Sequence, residues 1–199
     1  AEPRRALVWS PAMPEHDRES GSRRVYDTLR FLGEGGWAVT FVARAATDGP
    51  YLRTLAQMGI PAHAGEDSMW AGGEYLPDPT ELIAHGRFDV AILHFWHLAE
   101  DRLPLLRALS PTTRVIVDSV DLHFLRQSRA RAAAESGGVA RRPPALDGEE
   151  MARELQVYAA ADAVLAVSAE EAGLIDRLTG RPSLAHVVPD AEALPASSV

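Results

Sequence analysis

The stretch FDVAILHFWHLAEDRLPLLRALSPTTRVIVDSVDLH, residues 88–123, contains two apolar runs with a helical segment between them. The runs, residues 88–95 and 114–117, are continuous rather than alternating, which is typical of strands buried on both faces of a sheet. Residues 98–109 carry leucines at helical spacing. A strand–helix–strand unit of this kind predicts a right-handed crossover that joins two parallel strands.

The same alternation continues on both sides of this unit. Further strands are predicted at 6–9, 37–42, 60–63, 163–167 and 185–188. Further helices are predicted around 25–32 and at 51–58, 80–85, 122–134, 149–160 and 169–178. Residues 65–79 are predicted to be irregular, and residues 136–147 to form a mobile Gly-, Pro- and Arg-rich loop. This order predicts an α/β fold, a three-layer α/β/α sandwich with a mostly parallel sheet of about seven strands.

The composition indicates one globular domain. Of the 199 residues, 46% are hydrophobic and 24% charged, a balance that supports a single well-buried core. The formal net charge of −8 argues against a nucleic-acid partner. No run of about 20 apolar residues is present, so we expect no membrane span. The N-terminus leads straight into the first strand without the features of a signal peptide, and we therefore expect a cytoplasmic protein.

Two residue types are missing from the sequence. There is no Cys, which excludes disulfides, thiolate zinc sites and a Cys nucleophile. There is also no Lys, which excludes Schiff-base chemistry and the lysine of a P-loop. Every basic side chain apart from histidine is arginine, and this Ala-rich composition suggests a GC-rich, bacterial genome.

The loop after the first strand contains candidate binding residues. Ligands of parallel sheets bind beyond the carboxyl ends of the strands, where loops lead into helices. Asp17, Gly21 and Ser22 lie in such a loop, and Gly21 and Ser22 stand where a helix begins, so free backbone N–H groups there are available to an anion or a hydroxyl-rich ligand. The alternative is that Ser20 or Ser22 merely caps the helix.

Two histidines mark the end of the fourth strand. His94 and His97 would point to opposite faces if the strand ran through both, so at least one belongs to the following loop or to the far side of the sheet. A histidine at this point can act as a general base or bind a sugar hydroxyl, and a purely structural histidine carries about equal weight.

The end of the fifth strand has the densest chemistry in the chain. Asp118, Asp121 and His123 follow the apolar run within six residues. One carboxylate can accept a proton from an attacking hydroxyl while the other orients His123. The mundane alternative is that Asp121 caps the next helix and Asp118 binds loop N–H groups. The ligand set is too thin to predict a metal site.

The order of these motifs resembles the N-terminal domain of GT-B glycosyltransferases, family 4 especially. The resemblance covers nearly the whole chain, although each motif alone is loose. The segments that carry it are Asp17-x-x-x-Gly21-Ser22, Phe88-Asp89-Val90-x-Ile92-Leu93-His94, Asp118-Ser119-Val120-Asp121-Leu122-His123, Ala161-Asp162-Ala163-Val164-x-x-Val167-Ser168 and Val187-Val188-Pro189-Asp190.

The resemblance implies a function and a division of roles. It implies a Rossmann-like acceptor-side domain over 1–190 and the start of an interdomain linker over 191–199, with the donor-binding C-terminal domain absent from these residues. Such an enzyme transfers a hexose from a nucleotide-sugar, its co-substrate, to an acceptor hydroxyl and generally needs no metal or other cofactor. His94 or His97 would contact the transferred sugar, and Gly21 with Ser22 would lie beside the donor.

Two further expectations follow from the resemblance. Without the donor-binding domain, we expect the chain to be inactive alone, whether it is an excised domain or a piece that needs a partner. The rival reading is a non-catalytic α/β binding or regulatory domain in which Asp118 serves as a phosphoacceptor. Receiver domains of that kind are shorter and use a lysine, which this chain does not have.

Overall fold

The computed structural model describes residues 2–45, 49–64, 70–71, 74–75, 78–135 and 148–190. The strands are β1 (Arg5–Ser10), β2 (Ala38–Ala43), β3 (Ala62–Ala64), β4 (Trp70–Ala71), β5 (Glu74–Tyr75), β6 (Val90–His94), β7 (Arg114–Asp118), β8 (Ala163–Ala166) and β9 (Ala185–Val187). The helices are α1 (Ser20–Glu34), α2 (Pro50–Gln57), α3 (Pro79–Gly86), α4 (Trp96–Leu109), α5 (His123–Glu135), α6 (Glu149–Ala160) and α7 (Ala169–Thr179).

Seven of these strands form one parallel sheet in the order β3-β2-β1-β6-β7-β8-β9. The chain runs from β1 outward to β3, returns to the middle, and then runs outward again from β6 to β9. β6 and β7 are neighbours, and their last residues, His94 and Asp118, are paired in register. The order therefore reverses between β1 and β6, which is where the ligands of such sheets bind.

The sheet is buried on both faces, as the continuous apolar runs predict. Along β1, Leu7 and Trp9 belong to one buried cluster, whereas Ala6 and Val8 belong to a second cluster. The first cluster also takes in leucines of α4 and apolar residues of α6 and α7, and the second takes in residues of α1 and α2. Alternate residues of one strand thus fill two cores, which explains why the run shows no polar alternation.

Helix ends follow the local sequence signals. Ser168 precedes α7 in extended conformation, and its hydroxyl accepts a hydrogen bond from the Glu171 N–H at 3.2 Å. Gly180 ends the same helix in the left-handed conformation. Gly35 and Gly36 end α1, and Gly36 has a φ of 76°. Gly35 and Gly36 thus end α1, and Ser168 caps the start of α7.

The predicted α/β sandwich is confirmed, and a few boundaries change. The strand predicted over 88–95 ends at His94, and α4 begins at Trp96, so His97 lies in the first turn of a helix. The stretch 65–79, predicted to be irregular, contains the antiparallel pair β4–β5, whose strands flank the sequence Gly72-Gly73. The mobile loop predicted at 136–147 and the linker predicted at 191–199 lie outside the described residues.

In the part of the chain that the structure describes, no helix is both long enough and apolar enough to cross a membrane.

Candidate functional site

Three segments far apart in sequence meet at the carboxyl edge of the sheet. Gly21 lies in the first turn of α1, and a Cβ added to it would be 3.7 Å from Phe95 Cζ and 3.7 Å from Val120 Cγ1. Phe95 joins β6 to α4, and Val120 lies between β7 and α5. The rim formed by Gly21, Phe95 and Val120 is therefore one continuous surface.

Two of these rim residues have unusual backbones. Phe95 has a φ of 69° and Val120 a φ of 59°, both in the left-handed region that side-chain-bearing residues rarely adopt. The cost is greatest for Val120, because its Cβ is branched. Such conformations persist only where surrounding contacts hold them, and they concentrate at functional sites. The two strained residues lie at the two strand ends that the sequence singled out.

A buried ion pair lies directly beneath the rim. The Arg24 Nε donates to both carboxylate oxygens of Asp118, at 2.9 and 2.8 Å, and His94 Nδ1 lies 3.2 Å from Asp118 Oδ2. Asp118 and His94 are completely buried, and the Arg24 side chain is 4% exposed. Burial raises the pKa of Asp118, but the contacts from His94 and Arg24 outweigh it, so this pKa lies below its ordinary value.

Arg24 also reaches the end of the described chain. Its Nη1 donates to the Val188 carbonyl at 2.6 Å and to Asp190 Oδ1 at 3.1 Å. Its Nη2 is buried and has no hydrogen-bond partner among the described residues. One guanidinium therefore connects α1, the end of β7 and the segment that follows β9.

His97, Asp121 and His123 form the accessible part of the site. The rings of His97 and His123 are 5.6 Å apart, and both contact the rings of Phe95 and Trp96. Asp121 Oδ1 lies 3.3 Å from His123 Nε2, and Asp121 Oδ2 accepts from Arg126 at 2.8 Å. His97 is exposed and Asp121 is half-buried.

The electrostatics of this group keep His97 and Asp121 in their unprotonated forms. Partial desolvation of the ring by its neighbours, followed by the proximity of His123 and Arg44, lowers the pKa of His97. His97 is therefore neutral at pH 7 and has an unprotonated nitrogen. The contacts from His123 and Arg126 hold the pKa of Asp121 below its ordinary value, so this carboxylate is ionised.

Glu154 on α6 holds the start of α5 in place. Its carboxylate accepts from the backbone N–H of His123 at 3.1 Å and of Phe124 at 2.9 Å, and from the Tyr158 hydroxyl at 2.8 Å. The side chain is buried, and burial raises the pKa of Glu154. Glu154, rather than Asp121, is thus the residue that binds the first N–H groups of α5.

A cavity of about 350 Å³ opens beside this edge, between the loop before α1, α1 itself and the segment after β9. Asp17, Glu19 and Arg23 are among its lining residues, as are Phe31 and Asp190. Its walls thus combine carboxylates and guanidinium groups with one aromatic ring. Such a mixture of polar and apolar surface is usual for a small-molecule site.

The two predicted binding residues of the first loop are held differently. Asp17 accepts from the Tyr51 hydroxyl at 2.6 Å, and this bond lowers the pKa of Asp17. Ser22 is buried and donates to Glu19 Oε1 at 2.7 Å. The N-cap of α1 is Glu19, whose side chain makes no capping hydrogen bond, and Ser20 and Ser22 lie inside the helix, so the alternative that Ser20 or Ser22 caps it is wrong.

Among the described residues, no group of three or more His, Asp or Glu side chains has the spacing to hold a metal ion.

Comparison with known proteins identifies the family. Residues 21–191 match the family described as "Glycosyl transferase 4-like domain". The chain belongs to this family of glycosyltransferase domains. The match covers all of the strand ends that form the site, from Gly21 on α1 to Asp190 after β9.

A solved structure supports the fold of this glycosyltransferase 4-like domain. A sucrose-phosphate synthase from Thermosynechococcus elongatus superposes with a TM-score of 0.53 at 14% sequence identity. The match covers 94% of this chain and 48% of the synthase, so the chain spans about half the length of that protein. No curated protein sequence matches the chain.

The glycosyltransferase 4-like domain brings most predicted site residues together. Gly21, His97, Asp121 and His123 share one rim, through the contacts of Phe95 and Val120. His94 and Asp118 lie beneath that rim without exposed surface, which favours a positioning role over substrate contact. The binding and catalytic roles assigned from the sequence stay predictions.

Sequence reasoning missed Arg24 and Glu154. Arg24 stands three residues after Gly21 in a segment rich in arginine, and Glu154 lies in a helix with several other acidic residues. Nothing in the sequence distinguishes either residue from its charged neighbours. Only the fold reveals that both are buried.

Proposed function

We propose that this domain is the acceptor-binding half of an enzyme that transfers a hexose from a nucleotide-sugar to an acceptor hydroxyl. The observation that carries the proposal is the pairing of an exposed neutral histidine, His97, with the Asp121–His123 pair on the rim of a glycosyltransferase 4-like domain. A cavity of about 350 Å³, lined by Asp17 and Arg24 but not by His97, Asp121 or His123, offers space for a sugar-sized ligand.

The proposed reaction assigns a task to each side chain. The acceptor oxygen forms a bond to the anomeric carbon of the donor sugar, and the nucleoside diphosphate leaves with the electron pair of the broken bond. His97 or Asp121 accepts the proton of the acceptor hydroxyl, because both are unprotonated at pH 7 and reach the surface. His123, held by Asp121, orients the acceptor.

The proposal includes a second domain. We place the nucleotide-sugar site on a donor-binding domain that faces this rim, and we expect these 199 residues alone to be inactive. The chain covers 48% of the synthase whose fold it shares, which leaves room in such a protein for a partner domain. We further propose a cytoplasmic enzyme that uses no metal or other cofactor.

The first experiment asks whether the chain has turnover. The purified chain is incubated with radiolabelled nucleotide-sugars and a panel of sugar and alcohol acceptors. We expect no transfer, and any transfer by the chain alone would overturn the inactivity that we propose.

The second experiment locates the chemistry. The chain is expressed together with whatever its source reading frame encodes beyond residue 199, and transfer is assayed with His97→Ala and Asp121→Ala. We expect at least one variant to lose about 10²–10⁴-fold in rate, the usual contribution of a general base. Glu170→Gln, at an exposed position in the first turn of α7, is the control. Normal rates in both variants would overturn the assignment of the general base to His97 or Asp121.

A further inference from the structure

Arg24 links two parts of the molecule that have no direct bond to each other. On one side it holds the Val188 carbonyl and Asp190, where the described chain ends. On the other side it holds Asp118 at the end of β7. Both contacts come from one guanidinium: its Nε donates to Asp118, and its Nη1 donates to the Val188 carbonyl in the segment after β9. Because the group is rigid and planar, movement of one partner changes the geometry of the other.

Asp118 in turn contacts Val120, one of the two strained residues of the rim. Its Oδ1 accepts both from Arg24 Nε at 2.9 Å and from the Val120 N–H at 3.2 Å. Val120 has a φ of 59°, which a β-branched residue keeps only where contacts hold it. The next residue is Asp121, which contacts His123. A chain of direct contacts thus runs from Asp190 to the carboxylate of the candidate site.

We propose that Arg24 is a positioning residue that couples the segment Val188-Pro189-Asp190 to the loop carrying Val120 and Asp121. We call Val188-Pro189-Asp190 the exit segment. When it is displaced, Arg24 binds Asp118 less tightly. The backbone of Val120 is then less constrained, and Asp121 moves. The coupling rests on geometry alone, and only its consequence for sugar transfer rests on the proposed function.

The burial of the contacts makes the coupling effective. Arg24 is 4% exposed and Asp118 fully buried, so the contact between these two side chains is shielded from water. Asp190 is 50% exposed and lies at the accessible end of the chain of contacts. A displacement can therefore begin at the exposed exit segment, and the loop carrying Val120 and Asp121 changes position in response.

The test changes Asp190, at the exposed end of the chain of contacts, and measures amide hydrogen exchange at Val120, at the other end. Asp190→Asn removes one charge-assisted bond to Arg24 without touching the core. Amide hydrogen exchange at Val120 is followed by NMR in the purified chain. We expect exchange about fivefold faster in Asp190→Asn and more than about tenfold faster in Arg24→Lys, which keeps the charge but loses the planar fork.

Two controls separate coupling from general effects. Glu170→Gln removes a negative charge from a residue that is 82% exposed, in the first turn of α7, and should leave exchange at Val120 unchanged. The double variant Arg24→Lys/Asp190→Asn should exchange no faster than Arg24→Lys alone, because both changes act on one link.

The titration of Asp121, read from its side-chain ¹³C resonance, gives a second readout. Removing the charge of Asp190 acts directly to lower the pKa of Asp121, whereas loosening its loop acts to raise it. We expect the pKa of Asp121 to rise in Asp190→Asn. A rise would support the coupling, and unchanged exchange at Val120 in Asp190→Asn would overturn it. Both readouts are independent of sugar transfer, so failure of the proposed function leaves this result standing.

Discussion

Removal of the Asp118 carboxylate, which lies beneath the rim, should strongly destabilise the domain. The side chain is fully buried against Arg24, which is itself 4% exposed. Asp118→Ala leaves the guanidinium charge buried and lacking its main partner, and loss of one member of a buried pair costs about 3–5 kcal/mol. Domains have total stabilities of about 5–15 kcal/mol, so the variant should fold with a clearly reduced margin.

Urea unfolding followed by circular dichroism measures this cost. With a denaturant slope of about 2 kcal/mol per M, a loss of about 4 kcal/mol lowers the unfolding midpoint by about 2 M. Asp121→Ala is the matched control, because this carboxylate lies three residues away and is partly exposed. Its midpoint should fall by less than about 0.5 M, since solvent screens the pairs that it makes.

A double-mutant cycle assigns the cost to the pair. Arg24→Met should also be strongly destabilising, because it leaves the Asp118 charge buried without the guanidinium that balances it. The double variant Arg24→Met/Asp118→Ala should be more stable than the sum of the single losses predicts, by about 1–3 kcal/mol. A midpoint for Asp118→Ala within about 0.5 M of the wild-type value would refute the reasoning, because it would mean that the pair is not buried in solution.

Three further predictions concern neighbouring residues. Glu154→Gln should destabilise the domain by about 1–3 kcal/mol in urea unfolding, because it weakens bonds to two buried backbone N–H groups. Asp118 and Asp121 have pKa values below the ordinary 3.8. Their contribution to stability is therefore present above that pH and is lost as the pH falls through their folded-state pKa values. In an acid titration, the free energy of unfolding of Asp121→Asn should fall less steeply than that of the wild type. Gly21→Ala should be neutral in thermal unfolding, because a Cβ there is in ordinary contact with Phe95, whereas Gly21→Val should cost about 1–3 kcal/mol through overpacking.

Much of the fold could be predicted because parallel strands buried on both faces appear as uninterrupted apolar runs. The helix predicted at 149–160 has those bounds in the structure, and the strand predicted at 163–167 differs by one residue. The pair β4–β5 was missed, because two-residue strands carry no periodicity. The end of β6 was placed one residue late, since the apolar character of Phe95 does not report its left-handed backbone.

The sequence predicts the site residues that lie at the strand ends, but not the buried contacts beneath them. Parallel strands bring their carboxyl ends to one edge, and this geometry places Gly21, His97 and Asp121 at the same edge of the sheet. The pairing of Arg24 with Asp118 joins residues 94 positions apart and depends on a side chain crossing beneath the rim. Local sequence patterns carry no information on such a contact.

Asp118 and Asp121 show how environment gives two neighbouring carboxylates different tasks. Both have lowered pKa values, but Asp118 is enclosed by Arg24 and His94, whereas Asp121 is partly exposed beside His123. A fully buried carboxylate that accepts from Arg24 and from the Val120 N–H can hold a backbone in place but cannot meet a substrate. The contacts that Asp121 makes depend on the position of its loop. That loop is held by Asp118, which accepts a hydrogen bond from the Val120 N–H. The buried charges beneath the rim therefore fix the positions of the groups on its surface, which is why the strained backbone of Val120 persists between them.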